Sequence, residues 1–231
     1  MGTAEKIRSY LFATGLDALA DYIPVIEKAI HDFIAQLDTP MEVSNDALYR
    51  YQVPLLAEGG ACSLIDELDP VLFDLARVIG GESVETTRKL KLLNILVTRA
   101  AMVTGADWLG VYQRRKHHAG GESLVKLAYR GRPSRAEFPL NMEFAKGSTN
   151  SAVGLSGQAK LIDDVAAYTA QGGGFYTCDD AVQSEFCVPM IDADGKVLGI
   201  IDAEASPTGF FSADRQAAVV AMALVAPLLL P

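Results

Sequence analysis

At Gly105 the apolar pattern of this chain changes period, and that change limits the fold more than any other feature of the sequence. Up to about Thr104, apolar residues recur at spacings of three and four, as in the stripe Ile26, Ile30, Phe33, Ile34, Leu37 and again in Leu64, Leu68, Val71, Leu72, Leu75, Ile79. Pro24 and Pro40 punctuate the first of these helices, and Gly59-Gly60 and Gly80-Gly81 separate the later ones. Ser83 can cap a long helix that Gly105 ends, with Glu85 in its first turn. Beyond Gly105 the segments DWLGVYQRR, SLVKLAYRG, SEFCVPMID and KVLGIIDAEA are short and rich in β-branched and aromatic residues. Bounded by Gly, Asp or Ser, they read as strands. AVGLSGQAKLIDDVAAY reads as a short helix, a strand-like LIDDV and a loop, and Ser212 caps a closing helix through Leu229. The expectation is an α+β fold, an antiparallel sheet flanked by helices over 83–231, preceded by an all-helical N-terminal segment over 1–82.

Composition narrows the function. The 231 residues are 50% hydrophobic and 21% charged, enough for a sizeable core. Twenty Lys and Arg against 29 Asp and Glu give a formal net charge of -9, which opposes attraction to phosphate backbones or anionic lipid, so neither nucleic acid nor membrane is expected as a partner. The longest apolar stretch, 217–230, is shorter than the roughly 20 residues a bilayer requires and is interrupted by Pro227. The N-terminus lacks the pattern of a secretory signal, so a cytoplasmic location is expected. Cys62, Cys178 and Cys187 are odd in number with no CxxC spacing, which speaks against a disulfide framework and a structural zinc site. His117 and His118 suit an exposed hairpin tip. No metal site and no cofactor are expected.

The chemistry is concentrated in the hairpin SEFCVPMIDADGKVLGIIDAEA. A two-residue turn at Asp194-Gly195 pairs Ala193 with Lys196, Ile191 with Leu198, Cys187 with Asp202, and Glu185 with Glu204. A four-residue loop centred on the same turn keeps this register, whereas a three-residue loop shifts it. Two carboxylates then face each other on a face that also carries Leu198 and Ile200. Like charges opposed across a ladder are destabilising unless a shared proton, a nearby cation or a ligand offsets them. The alternative is that the acids lie on the solvent face while Phe186, Val188, Ile201 and Ala203 point to the core. Trp108 and Tyr112, four apart in a strand, share a face with Gly110 and suit either an aromatic wall or ordinary core. Cys178 lies in the loop GGGFYTCDDAVQSE, where a reactive thiol belongs, although Asp179 and Asp180 would raise its pKa. Cys62 suits a small core residue.

The order of helix, DWLGVY strand, LSG turn, IDDV, CDDAVQSEFCVPMID, DG turn, GIIDAE and FSADR closing helix resembles a GAF domain, specifically the free methionine-(R)-sulfoxide reductases, over about 83–230. The resemblance implies that Trp108 and Tyr112 line the pocket and that Cys178 is the catalytic nucleophile. It further implies that Glu185, Asp202 and Glu204 anchor a small ligand, free methionine sulfoxide or a similar molecule. Two of the three cysteines usual in that family are absent, Ser156 standing at one position and Ser134 or Arg135 near the other. Cys187 is therefore the candidate resolving thiol, with thioredoxin or glutathione as possible reductant. The alternative is a non-catalytic GAF sensor that binds a small metabolite and signals through its N-terminal helices. A cyclic-nucleotide site fits less well, because the NKxxFxxxDE-type pattern is missing and an acidic pocket repels phosphate. A homodimer through the helical segment is expected in either case.

Overall fold

A computed structural model describes residues 2–57, 63–116, 120–176 and 179–231, with the backbone alone at 63–66. Cys62, His117, His118 and Cys178 lie outside the described residues. Helices α1 (Thr3–Ala13) and α2 (Ile23–Gln36) open the chain, followed by a short α3 (Asn45–Tyr49). Two small antiparallel ribbons come next, β1 (Arg50–Tyr51) with β4 (Phe73–Asp74) and β2 (Pro54–Leu56) with β3 (Ser63–Leu68). These ribbons correct the helical reading of the Leu64 to Ile79 stripe. Only α4 (Leu75–Ile79) of that stripe is helical. A short apolar run has no period of its own long enough to separate helix from strand, and here Leu68 and Val71 are exposed rather than core residues.

Helix α5 (Val84–Thr104) forms as its ends dictate. Ser83 Oγ accepts the Thr86 amide at 3.0 Å, and Gly105 closes the helix at φ 70°. The sheet has the order β7-β6-β5-β10-β9-β8 and is antiparallel throughout. Its strands are β5 (Trp108–Lys116), β6 (Glu122–Arg130), β7 (Glu137–Pro139), β8 (Lys160–Ile162), β9 (Ser184–Ile191) and β10 (Val197–Ala205). Short helices α6 (Met142–Ala145), α7 (Thr149–Ser156) and α8 (Val165–Ala170) fall between β7 and β9. The closing α9 (Ala213–Val225) has Ser212 at its N-cap position without a side-chain bond, and a 3₁₀ turn containing Pro227 ends it.

One face of the sheet carries the main core. Leu109, Val111, Phe186, Val188, Ile201 and Ala203 point into it and meet α5 and α9. Its alanines let α9 approach both sheet and helices, and every residue from 217 to 223 is buried. That explains the apolar run without a bilayer: among the described residues no helix is long and apolar enough to cross a membrane. The N-terminal helices share this core through Ile7, Leu11, Ile26 and Phe33, and Tyr10 Oη donates to the Pro189 carbonyl at 2.7 Å. The opposite sheet face is also covered, and there the acids lie.

Candidate functional site

Glu204 pairs with Glu185 and Asp202 with Cys187 across β9 and β10, as the sequence register requires. The turn reaches this result by another route. Asp192 N donates to Lys196 O, leaving a three-residue loop with Gly195 at φ 80°, and Val197 rather than Leu198 pairs with Ile191. A bulge between Val197 and Gly199 then restores the lost residue. The loop shifts the register by one and the bulge shifts it back, so the carboxylates face each other after all. Leu198, displaced by the bulge, packs toward the main core instead of beside Ile200.

Both halves of the facing alternative meet in one arrangement. Phe186, Val188, Ile201 and Ala203 do point to the helical core, yet the acids on the other face are not in solvent. Glu185 is 2% exposed, Asp202 1% and Cys187 0%. Burial, and after it the Asp202 and Glu204 charges, hold the Glu185 carboxyl well above the usual range. Burial raises Asp202 to about 6, against hydrogen bonds from Glu185 and Asn150 that favour its ionised form. Glu204 is likewise pushed well up by burial, then by Asp202 and Asp179, with Lys126 opposing. The hydrogen bond between the two acids favours the protonated form of Glu185 and the ionised form of Asp202. Burial also pushes the Cys187 thiol well up, and its Sγ donates to Asn150 Oδ1 at 3.5 Å. Asn150 and Thr149 come from the first turn of α7, which packs against β9 and β10. The positive end of that helix is where negative charge is best tolerated. Thr149 Oγ1 lowers the Glu185 carboxyl slightly but meets no complete hydrogen-bond geometry.

An aromatic layer lies over the acids. Trp108, Tyr112, Phe138 and Ile200 form a cluster with Cys187, and Tyr129, Phe144 and Tyr176 pack around it. Trp108 and Tyr112, foreseen as neighbours, have ring centroids 6.1 Å apart. Trp108 Nε1 donates to the Arg132 carbonyl at 3.1 Å, and Tyr112 Oη to the Arg135 carbonyl at 3.1 Å. The Arg135 guanidinium lies 4.9 Å from the Phe144 ring centre and 5.4 Å from that of Tyr176. Lys126 is fully buried, and its Nζ donates to the Ser134 carbonyl and hydroxyl at 2.6 and 2.7 Å. Ser134 and Arg135, near one of the two missing cysteine positions, are thus engaged around the site, while Ser156, at the other, is exposed at the end of α7.

Sequence reasoning missed Lys126, Thr149 and Asn150, and met Arg135 only as a residue near a family cysteine position. Lys126 had a signal, a charge set between apolar residues in SLVKLAYRG; Thr149 and Asn150 had none in the period or spacing. A separate cleft of about 410 Å³ lies between the first ribbons and the sheet edge, lined by Val53, Phe73, Ser123, Glu137 and Leu140. It contains no member of the acid cluster.

Trp108 is the sole tryptophan, so its emission reports on this layer. The indole lies flat over Gly110, where a Cβ would stand 2.3 Å from the ring. Gly110→Ala is expected to lift the ring into a wetter position and red-shift the emission, at a cost of about 1–3 kcal/mol for overpacking. Unchanged emission in a folded variant would place the indole elsewhere.

The GAF domain family model matches residues 89–228 of the chain. Free methionine-R-sulfoxide reductase of Saccharomyces cerevisiae is 28% identical over 118 residues, which is 50% of this chain and 59% of the yeast protein. The chain therefore spans little more than half the length of that relative. Among solved structures, the type II free methionine-R-sulfoxide reductase from Thermoplasma acidophilum aligns with a TM-score of 0.52 at 22% identity, over 63% of this chain and 94% of its own. The GAF domain of an Acinetobacter phosphoenolpyruvate-protein phosphotransferase aligns with a TM-score of 0.53 at 10% identity, over 88% of this chain and 91% of its own. At these identities the structural likeness speaks for the fold alone.

Proposed function

Given that this chain belongs to the GAF domain family, we propose that it reduces free methionine-(R)-sulfoxide, or a sulfoxide close to it, with Cys178 as nucleophile. The observation that carries this reading is the pairing of Glu185 with Glu204 and of Cys187 with Asp202 beneath Trp108 and Tyr112. A zwitterionic ligand needs both a proton donor for its sulfoxide oxygen and an anion for its ammonium. Glu185, its proton turned from Asp202 to the ligand, supplies the first and Asp202, ionised above about 6, the second. The relationship to the yeast reductase supports the substrate class.

The chemistry is a two-electron exchange. The Cys178 thiolate attacks the sulfoxide sulfur, the sulfur–oxygen bond breaks, and with one proton taken up the products are methionine and Cys178 sulfenic acid. A second thiol then condenses with the sulfenic acid, releasing water and leaving a disulfide that the reductant opens. Cys187 is one candidate for that second thiol. Its burial and pushed-up pKa favour the alternative, a thiol of thioredoxin or glutathione.

The test is NADPH consumption with free methionine-(R)-sulfoxide, coupled separately to the thioredoxin and glutathione systems. We expect turnover in at least one system, and Cys178→Ser should reduce it to background while Trp108 fluorescence still reports ligand binding. No turnover in either system, from folded and reduced protein, would sink the reductase reading. A second reading, a ligand-binding sensor whose N-terminal helices dimerise or pass on the signal, is favoured by Ser156 at one family cysteine position and by Ser134 or Arg135 near the other. It requires that Cys178→Ser leave the ligand response unchanged and that no methionine form.

A further inference from the structure

Three metal-ligating groups meet beneath the aromatic layer. Glu185 and Cys187 share one face of β9 and Asp202 stands opposite Cys187 on β10. One carboxylate oxygen from each acid and Cys187 Sγ lie within 4.8 Å of one another. Apart from the hydrogen bond the two acids share, Glu185 Oε2 and Asp202 Oδ1 are buried without a hydrogen-bond partner among the described residues. Oxygens so placed cost free energy unless something meets them. Asn150 Oδ1, 3.5 Å from the sulfur, brings a neutral oxygen to the same point.

We propose that Glu185, Cys187 and Asp202 form a binding site for a divalent cation of the Zn²⁺ class, with Asn150 Oδ1 or a water as the fourth ligand. The donor set selects that class. A thiolate disfavours Mg²⁺ and Ca²⁺, which take oxygen ligands, whereas Zn²⁺ accepts sulfur and carboxylate together in a tetrahedron. Bonds of about 2.3 Å to sulfur and about 2.1 Å to oxygen separate neighbouring donors by about 3.5 Å. The cluster therefore needs to close by little more than about 1 Å, within reach of side-chain rotation. Alternate residues on one strand and a cross-strand partner supply the ligands, so no CxxC or HxxxH spacing marks the site. The cation would occupy the place assigned above to the organic ligand, and the two would exclude each other. The site itself does not depend on the reductase reading, because its ligands are defined by the sheet register.

Reduced, chelator-treated full-length protein is titrated with Co²⁺, and Zn²⁺ is then added. The expected result is a near-ultraviolet thiolate-to-cobalt charge-transfer band that saturates at one metal per chain and is bleached by Zn²⁺. Cys187→Ser should abolish the band, while Cys178→Ser and Cys62→Ser retain it. If circular dichroism finds Cys187→Ser unfolded, Asp202→Asn is read instead, with Co²⁺ affinity expected to fall at least about 10- to 100-fold. A wild-type titration with no thiolate band, a band that survives Cys187→Ser, or unchanged affinity in Asp202→Asn overturns the proposal. Lack of sulfoxide turnover leaves the cobalt result standing, so the two readings fail separately.

Discussion

Gly199→Ala should remove about 4 kcal/mol or more of folding free energy, an unusually large effect for one methyl group. A Cβ at position 199 would stand 2.0 Å from the Tyr112 carbonyl oxygen and 2.9 Å from Gln113 Cα. Both are backbone atoms of β5, which β6 holds from its other side. The third neighbour, Met190 Cε at 2.7 Å, can swing away, but the backbone cannot without opening the ladder between β10 and β5. Gly199 also directly follows the bulge that resets the register, so relief there would disturb the carboxylate pairing downstream. Against a typical total of about 5–15 kcal/mol, such a loss leaves little fold. Gly195→Ala is the control: at φ 80° with open space around it, it should cost only about 1–2 kcal/mol. Urea denaturation checks the pair. A Gly199→Ala midpoint close to that of wild type would mean the strands can part at this point cheaply.

The fold class was legible because the period switch at Gly105 is a property of whole segments, each backed by caps and turn residues. The carboxylate register was legible for a less secure reason. A turn of different length from the one assumed and an unforeseen bulge cancel, and only the strand alternation is independent of both. The ribbons at 50–74 were hidden because runs of two to six residues have no period to display. The upper wall of the site was hidden for another reason. Thr149 and Asn150 act from the start of a helix and Arg135 from a loop, and nothing local ties them to a strand some 35 or more residues later. Burial of the acids was not readable either, since it depends on a second layer whose members, Phe138, Phe144 and Tyr176, come from a three-residue strand, a four-residue helix and a loop.

Lys126→Met should cost about 3 kcal/mol, with most of that loss arising from groups the lysine leaves behind. Methionine keeps an unbranched chain in a position that is fully buried, so packing is nearly conserved. The ammonium is what goes. Ser134 would lose the donor to both its carbonyl and its hydroxyl, and buried acceptors without partners cost about 1–3 kcal/mol each. The Tyr129 ring, 4.0 Å from Nζ, and the Tyr51 ring, 5.2 Å from it, would lose their cation. Tyr51 belongs to β1 and donates to the Lys126 carbonyl at 2.7 Å, so this one residue joins the ribbon before the sheet to the wall of the site. Because the interactions are shared, their losses should not add. Ser134→Ala alone should cost about 1 kcal/mol, and in the Lys126→Met background nearly nothing, since its hydroxyl has already lost its donor. A double mutant whose loss equals the two single losses combined would show that Lys126 and Ser134 are independent, and that the buried ammonium is held by something other than this contact.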